Sequence, residues 1–166
     1  MISDTNTELY DRQIRLFGFE TQKKILRFKV EIYSNGNELI SGEIAKNFIL
    51  LGSTCILDEN SRNSLIKVWE DYNEENKNEG DALKICVDRK DLEADYYICS
   101  KCLSYDNKIC NICLSGNDNT RMDINNDKDS INTIVQQLLL GGIFVQEMVK
   151  KINNEEYKSK YILEYK

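Results

Sequence analysis

Apolar and polar positions divide this chain into short elements, and the clearest group runs from Phe28 to Asp58. The β-preferring run at 28–33 predicts a strand, and Asn35-Gly36 with Gly42 marks a turn. Ile44, Asn47, Phe48 and Leu51 recur at helical spacing and predict a helix over 43–51. A second strand is expected over 54–57, closing at Asp58. Strand, turn, helix and strand in that order make a βαβ unit, which requires a parallel sheet.

The rest of the chain follows the same logic. Leu9, Ile14 and Phe17 predict a helix over 7–17, with Thr7 as its cap and Gly18 as its stop, and a second helix is expected over 20–28. Leu65, Ile66, Val68, Trp69 and Tyr72 give an apolar face to a helix over 63–72, after which 73–80 reads as a solvated loop. Strands are predicted at 83–87 and 95–100, a helix at 105–114, and a flexible Asn- and Asp-rich loop at 115–129. Ile134, Leu138, Ile143, Val145 and Val149 carry a long helix over 130–152, and 161–165 reads as a closing strand. Gly141-Gly142 lies inside that helix. Each glycine costs about 1 kcal/mol there relative to alanine, so close packing against another backbone is the expected reason. The fold class that follows is α/β, a mostly parallel sheet with flanking helices, in one domain spanning 1–166.

Composition narrows the partners. With 166 residues a single core is expected, and a formal net charge of −6 argues against a nucleic-acid surface, which needs clustered cations. Protein partners are expected instead. The most apolar stretch, 131–149, is interrupted by Gln136, Gln137, Gln146 and Glu147, so no membrane span is expected. No charged-then-apolar leader is legible at the N-terminus, so an intracellular setting is expected. The chain has no histidine, which removes imidazole bases and imidazole metal ligands from consideration.

Candidate chemistry lies at three places. Arg12 and Arg15 are three apart and share one face of the first predicted helix. Gly36 and Gly42 flank the turn of the βαβ unit, where a phosphate would need closely spaced glycines at a helix N-terminus. Here five residues separate them, and Glu38 and Leu39 would repel or obstruct a polyphosphate. Asp58 closes the second strand about twenty residues on, the place where an acidic residue holds a ribose in dinucleotide folds. The site made by Gly36, Gly42 and Asp58 is therefore expected to be degenerate. Third, Cys99, Cys102, Cys110 and Cys113 spell two CxxC pairs, a spacing that suits one tetrahedral zinc ion. The competing reading is a set of packed thiols, because 105–114 is predicted helical and knuckle glycines are missing. Neither Cys55 nor Cys86, both in predicted strands, suits a thiolate nucleophile.

The segment Tyr10-Asp11-Arg12-Gln13-Ile14-Arg15-Leu16-Phe17-Gly18, followed by Glu20, Gln22, Lys23 and Lys24, resembles the opening of the activating enzymes of ubiquitin-like modifiers. Gly42-Glu43-Ile44-Ala45-Lys46-Asn47 and the run Leu140 to Lys150 are similar to two later helices of that family. The resemblance is nearest to the non-cysteine subunit of SUMO-activating enzymes, with the neddylation counterpart next. It implies a Rossmann-like, ThiF-type adenylation domain, here shortened. It implies further a cysteine-bearing large subunit as partner, which binds ATP and Mg, and a ubiquitin-like modifier as substrate. Arg12 matches the arginine that reaches across to the partner's nucleotide, with Arg15 supporting it. A nuclear and cytoplasmic location would follow. A non-catalytic scaffold and a small zinc-binding interaction module remain the alternatives.

Overall fold

The β-preferring run after Phe28 forms strand β1 (Lys29–Ser34) in the computed structural model, which describes residues 8–57, 82–110 and 131–164. It is followed by helix α3 (Glu38–Leu51) and strand β2 (Thr54–Leu57), and β1 pairs in parallel with β2. Ahead of this βαβ unit lie helices α1 (Asp11–Phe17) and α2 (Phe19–Leu26), separated by Gly18. Beyond it come β3 (Leu83–Val87), β4 (Tyr96–Cys99), β5 (Ser104–Asp106), helix α4 (Ile131–Ile152) and β6 (Tyr161–Ile162).

The six strands form one sheet in the order β2-β1-β3-β4-β5-β6. Its β2-β1-β3-β4 portion is parallel, and β5 and β6 each run antiparallel to the neighbour before them. The result is a mixed α/β fold with a mostly parallel sheet. The register aligns Val30 with Cys55 and Leu83, Ile32 with Ile85, Ile85 with Tyr96, Ile98 with Tyr105, and Tyr105 with Tyr161. Because side chains alternate along a strand, these residues share one face. That face is the core, and α3 and α4 cover it. Ile40, Ile44, Phe48 and Ile49 of α3 and Leu140, Phe144 and Met148 of α4 are buried there. Phe144 meets Tyr96 and Tyr105 edge to face, with centroids 5.3 and 5.1 Å apart, and Tyr161 stacks on Tyr105 at 5.9 Å. Such pairs add about 1 kcal/mol each beyond the area they bury.

Several expectations are corrected. Helix α3 begins at Glu38, five residues before the predicted start, because the Asn37 side chain accepts a hydrogen bond from Ile40 N–H and caps it. Gly42 is therefore a buried residue inside α3 and not part of a turn. The helix predicted over 105–114 is replaced where it begins by β5, since Tyr105 is claimed by pairing with β4 and β6. Residues 107–110 are not helical either. The predicted segments 63–72, 73–80 and 115–129 lie outside the described residues.

Only one of the two mid-helix glycines is explained by close approach. A Cβ on Gly141 would sit 3.3 Å from Cβ and Cγ of Glu43 and 3.5 Å from the Ile40 carbonyl oxygen, so this glycine seats α4 on α3. A Cβ on Gly142 would meet nothing within 4 Å. Near the end of α4, Glu147 is buried and accepts a hydrogen bond from Lys158 N–H at 2.7 Å while pairing with Lys150 at 2.6 Å. Burial pushes its carboxyl up, but the Lys150 ammonium and the Lys158 N–H outweigh that and hold it below the usual range.

Gly142→Ala should stabilise the chain by about 1 kcal/mol through the unfolded state and helix propensity. Gly141→Ala should yield none of that gain, because the Glu43 stem is fixed to α3. Urea midpoints of the two variants compare them directly, and equal gains would sink the close-packing account. Glu147→Gln should lower stability by about 1–2 kcal/mol at neutral pH. A depressed native carboxyl contributes above its unfolded pKa and loses that contribution as pH falls through the native value. The deficit of Glu147→Gln should therefore shrink in urea titrations carried out below pH ~4.5, and a deficit that does not change with pH would refute the charged role.

Candidate functional site

Strand order reverses between β1 and β3, since β1 is followed by β2 on one side while β3 pairs with its other side. In open α/β sheets the carboxyl ends of the strands at such a reversal flank the preferred ligand crevice. A crevice of about 680 Å³ lies there, lined by Ser34, Asn35, Asp88, Arg89, Lys90 and Asp91. Two of its lining residues, Ser34 and Asp88, belong to a set of hydrogen bonds around Asn37. Asn37 N–H donates to Ser34 Oγ at 3.1 Å, and the Ser34 and Ser41 hydroxyls both donate to the Asn37 carbonyl. The Asn37 amide donates to Asp88 Oδ2 at 3.2 Å, while Asp88 Oδ1 accepts Ser100 N–H at 2.8 Å. Asp88 adopts a left-handed backbone (φ 53°), which aspartate tolerates better than most residues. One carboxylate thus joins the ends of β3 and β4 to the β1–α3 loop.

This arrangement does not fit a nucleotide phosphate. The N-terminus of α3 is capped by its own Asn37, Glu38 adds negative charge to the first turn, and Gly36 (φ 76°) supplies a tight turn without a second glycine beside it. Arg89 is bound by Asp91 through two contacts of 2.7 and 2.9 Å. Asp58 lies outside the described residues. Of the predicted Gly36 and Gly42, the first directly follows Asn35 of the crevice lining and the second is buried within α3. Sequence reasoning missed Asn37 and Asp88. An asparagine one residue before Glu38 was a legible cap signal, whereas nothing local marks Asp88 as its partner.

The two arginines differ. Arg15 pairs with Asp11 one turn earlier, at 2.9 Å, and its side chain is solvent exposed. Arg12 is exposed and takes no partner among the described residues. Leu9 and Leu16 flank it at helical spacing and are 54% and 75% exposed. No residue of α1 is buried. Helix α1 therefore presents Arg12 and Leu16 outward, and Leu9, just ahead of its Tyr10 cap, is exposed as well. Tyr10 is buried beside Gly52, whose φ of 95° demands glycine and where an added Cβ would fall 2.8 Å from the Tyr10 hydroxyl.

The cysteines divide by environment. Cys55 is fully buried and its thiol is pushed up by burial, and Cys86 is raised for the same reason, so neither is poised as a nucleophile. Cys99 ends β4, Cys102 lies in the turn at 100–103 that joins β4 to β5, and Cys110 follows β5. Their sulfurs lie within 4.8 Å of one another, with Cys102 Sγ and Cys110 Sγ 3.6 Å apart. Cys113, the fourth cysteine of the predicted set, lies outside the described residues. No protein-family model, curated protein or solved structure matches the chain.

Asn37→Ala should cost about 1–2 kcal/mol, because the helix cap and a partner of Asp88 are lost together. Asn37→Asp keeps the capping oxygen but sets a second carboxylate against Asp88. Its deficit at neutral pH should close as the pH falls and one carboxyl takes up a proton. Thermal melts at neutral and acid pH separate the two variants, and an Asn37→Asp deficit that persists in acid would remove the Asp88 contact from the account.

Proposed function

We propose that this chain is the non-cysteine half of a heterodimeric activating enzyme for a ubiquitin-like modifier, of the SUMO type, built on a shortened ThiF-type, Rossmann-like domain. The observation that carries the reading is the exposure of Leu9, just ahead of α1, and of Arg12 and Leu16 on it, around the segment Tyr10-Asp11-Arg12-Gln13. Exposed leucines flanking an arginine suit a protein contact, since buried arginine with apolar neighbours is a common anchor of interfaces. The self-capped α3 terminus supports the same division of labour, because among the described residues that helix start offers no phosphate cradle.

In this reading ATP and Mg are held by the cysteine-bearing large subunit, and the nucleotide activates the modifier's C-terminal carboxylate as an acyl adenylate. Arg12 is delivered across the interface by α1, where its fixed, planar cation stabilises charge developing on the phosphates. Arg15 orders α1 through Asp11 and takes no direct part. Placement in the nucleus and cytoplasm goes with such a partner. The neddylation counterpart is the second reading, since the Gly42 to Asn47 and Leu140 to Lys150 helices suit both.

The test is modifier-dependent ATP–pyrophosphate exchange with the large subunit, together with a pull-down. Arg12→Ala should lower exchange by about a hundredfold without weakening the pull-down, and Arg15→Ala should have a much smaller effect. Normal exchange with Arg12→Ala would leave a scaffold only, and failure to bind either large subunit would reject the reading.

A further inference from the structure

We propose that Cys99, Cys102 and Cys110 hold one zinc ion that clamps the β4–β5 hairpin. The proposal is independent of the reading given to the N-terminal helices. It starts from how the hairpin folds. A turn of four residues, 100–103, reverses the chain after β4, and Leu103 closes it with a left-handed backbone (φ 47°). The reversal sets Cys99 opposite Ser104 and turns Cys102 back toward Cys99, so that Cys102 N–H lies 3.4 Å from Cys99 Sγ as its donor. An N–H directed at sulfur favours the thiolate over the thiol. Cys110 then returns after β5 to place its own sulfur 3.6 Å from that of Cys102.

Distances suit a metal. A tetrahedral ion with Zn–S bonds of about 2.3 Å separates its sulfur ligands by about 3.8 Å. The Cys102 to Cys110 separation is already within a few tenths of that value. All three sulfurs lie within 4.8 Å of one another, so small side-chain rotations bring them onto one ion. Chemistry selects the metal class. Three thiolates with no histidine anywhere in the chain form a soft donor set, which favours zinc over magnesium or calcium. Simple packing of thiols accounts less well for the cluster, because Cys102 and Cys110 are only partly buried while Cys55 and Cys86 show what packed thiols look like here. A disulfide would use two of the sulfurs and leave the third in place without a reason.

The gain to the fold is local. Strand β5 has three residues and β6 only two. Cys102 precedes β5 and Cys110 follows it, so one ion bound to both closes a loop around this short strand and fixes its neighbour Cys99 as well. Binding displaces three thiol protons and leaves a net charge of −1 at the centre. Lys101 within the turn and Lys108 just before Cys110 put positive charge close by in sequence.

The test uses the full chain purified under reducing conditions without added metal. Elemental analysis should find about one zinc per chain. Cys102→Ser and Cys110→Ser should each reduce the content by roughly tenfold or more. Removing metal with a chelator should lower the thermal midpoint of the wild type and expose additional thiols to a disulfide reagent. Cobalt added to the stripped chain should give the absorption of a tetrahedral thiolate complex, which keeps the proposal testable should a serine variant fail to fold. A folded wild type that carries no metal and gives no cobalt spectrum would overturn the proposal. So would zinc retained in full by Cys102→Ser, or a Cys102–Cys110 disulfide in the metal-free chain.

Discussion

Gly141 lets α4 come within van der Waals reach of Glu43 and the Ile40 carbonyl, and the burial of one sheet face follows from that approach. With the two helices seated together, Phe48 and Phe144 descend onto the same layer of Val30, Ile85, Tyr96 and Tyr105. Burying side chains of this size contributes about 2 kcal/mol apiece before entropy is charged against it. A wider separation of α3 and α4 would lower the packing density of the whole layer rather than one contact. The other face of the sheet is different in kind. Glu31, Tyr33, Lys84 and Tyr97 stand on it, and Lys29 and Glu31 pair there at 3.6 Å.

Polar groups do the positioning where apolar ones cannot. Asp88 sits where three strand ends and a helix start converge, and its two oxygens are each given a separate donor. Giving each oxygen a donor in such a place fixes geometry, and it commits those donors so that they are not spare for a ligand. Of the charged groups lining the crevice beside it, Arg89 is committed to Asp91. The exposed Leu9, Arg12 and Leu16 have the opposite character. Among the described residues Arg12 takes no hydrogen-bond or ion-pair partner, so its guanidinium is available to something outside.

Much of the fold was legible because its signals are local. The strand at 83–87 and the end of the long helix at Ile152 agree with the sequence reading to the residue. Two features were not legible, for distinct reasons. Gly42 reads as a breaker, but glycine is tolerated within a helix when tertiary packing covers it, and the capping asparagine lies five residues earlier. Tyr105 has helix-compatible neighbours, and its commitment to a strand comes from pairing with Ile98 across a hairpin and with Tyr161, which is remote in sequence. At the site level the spacing of the cysteines announced their convergence, whereas the Asn37–Asp88 contact, spanning fifty-one positions, left no mark on either residue's surroundings.

Lys158 is gripped from both sides: the Glu147 carboxylate accepts its N–H, and the Tyr105 hydroxyl donates to its carbonyl at 3.0 Å. A tension applied beyond Leu163 would first peel β6, which holds by few backbone bonds, and would then catch at this backbone pincer. From there the load passes into α4 through Glu147 and into the aromatic layer through Tyr105. Mechanically, the C-terminal segment is moored at residue 158, and the small strand after it is a loose end laid against the sheet.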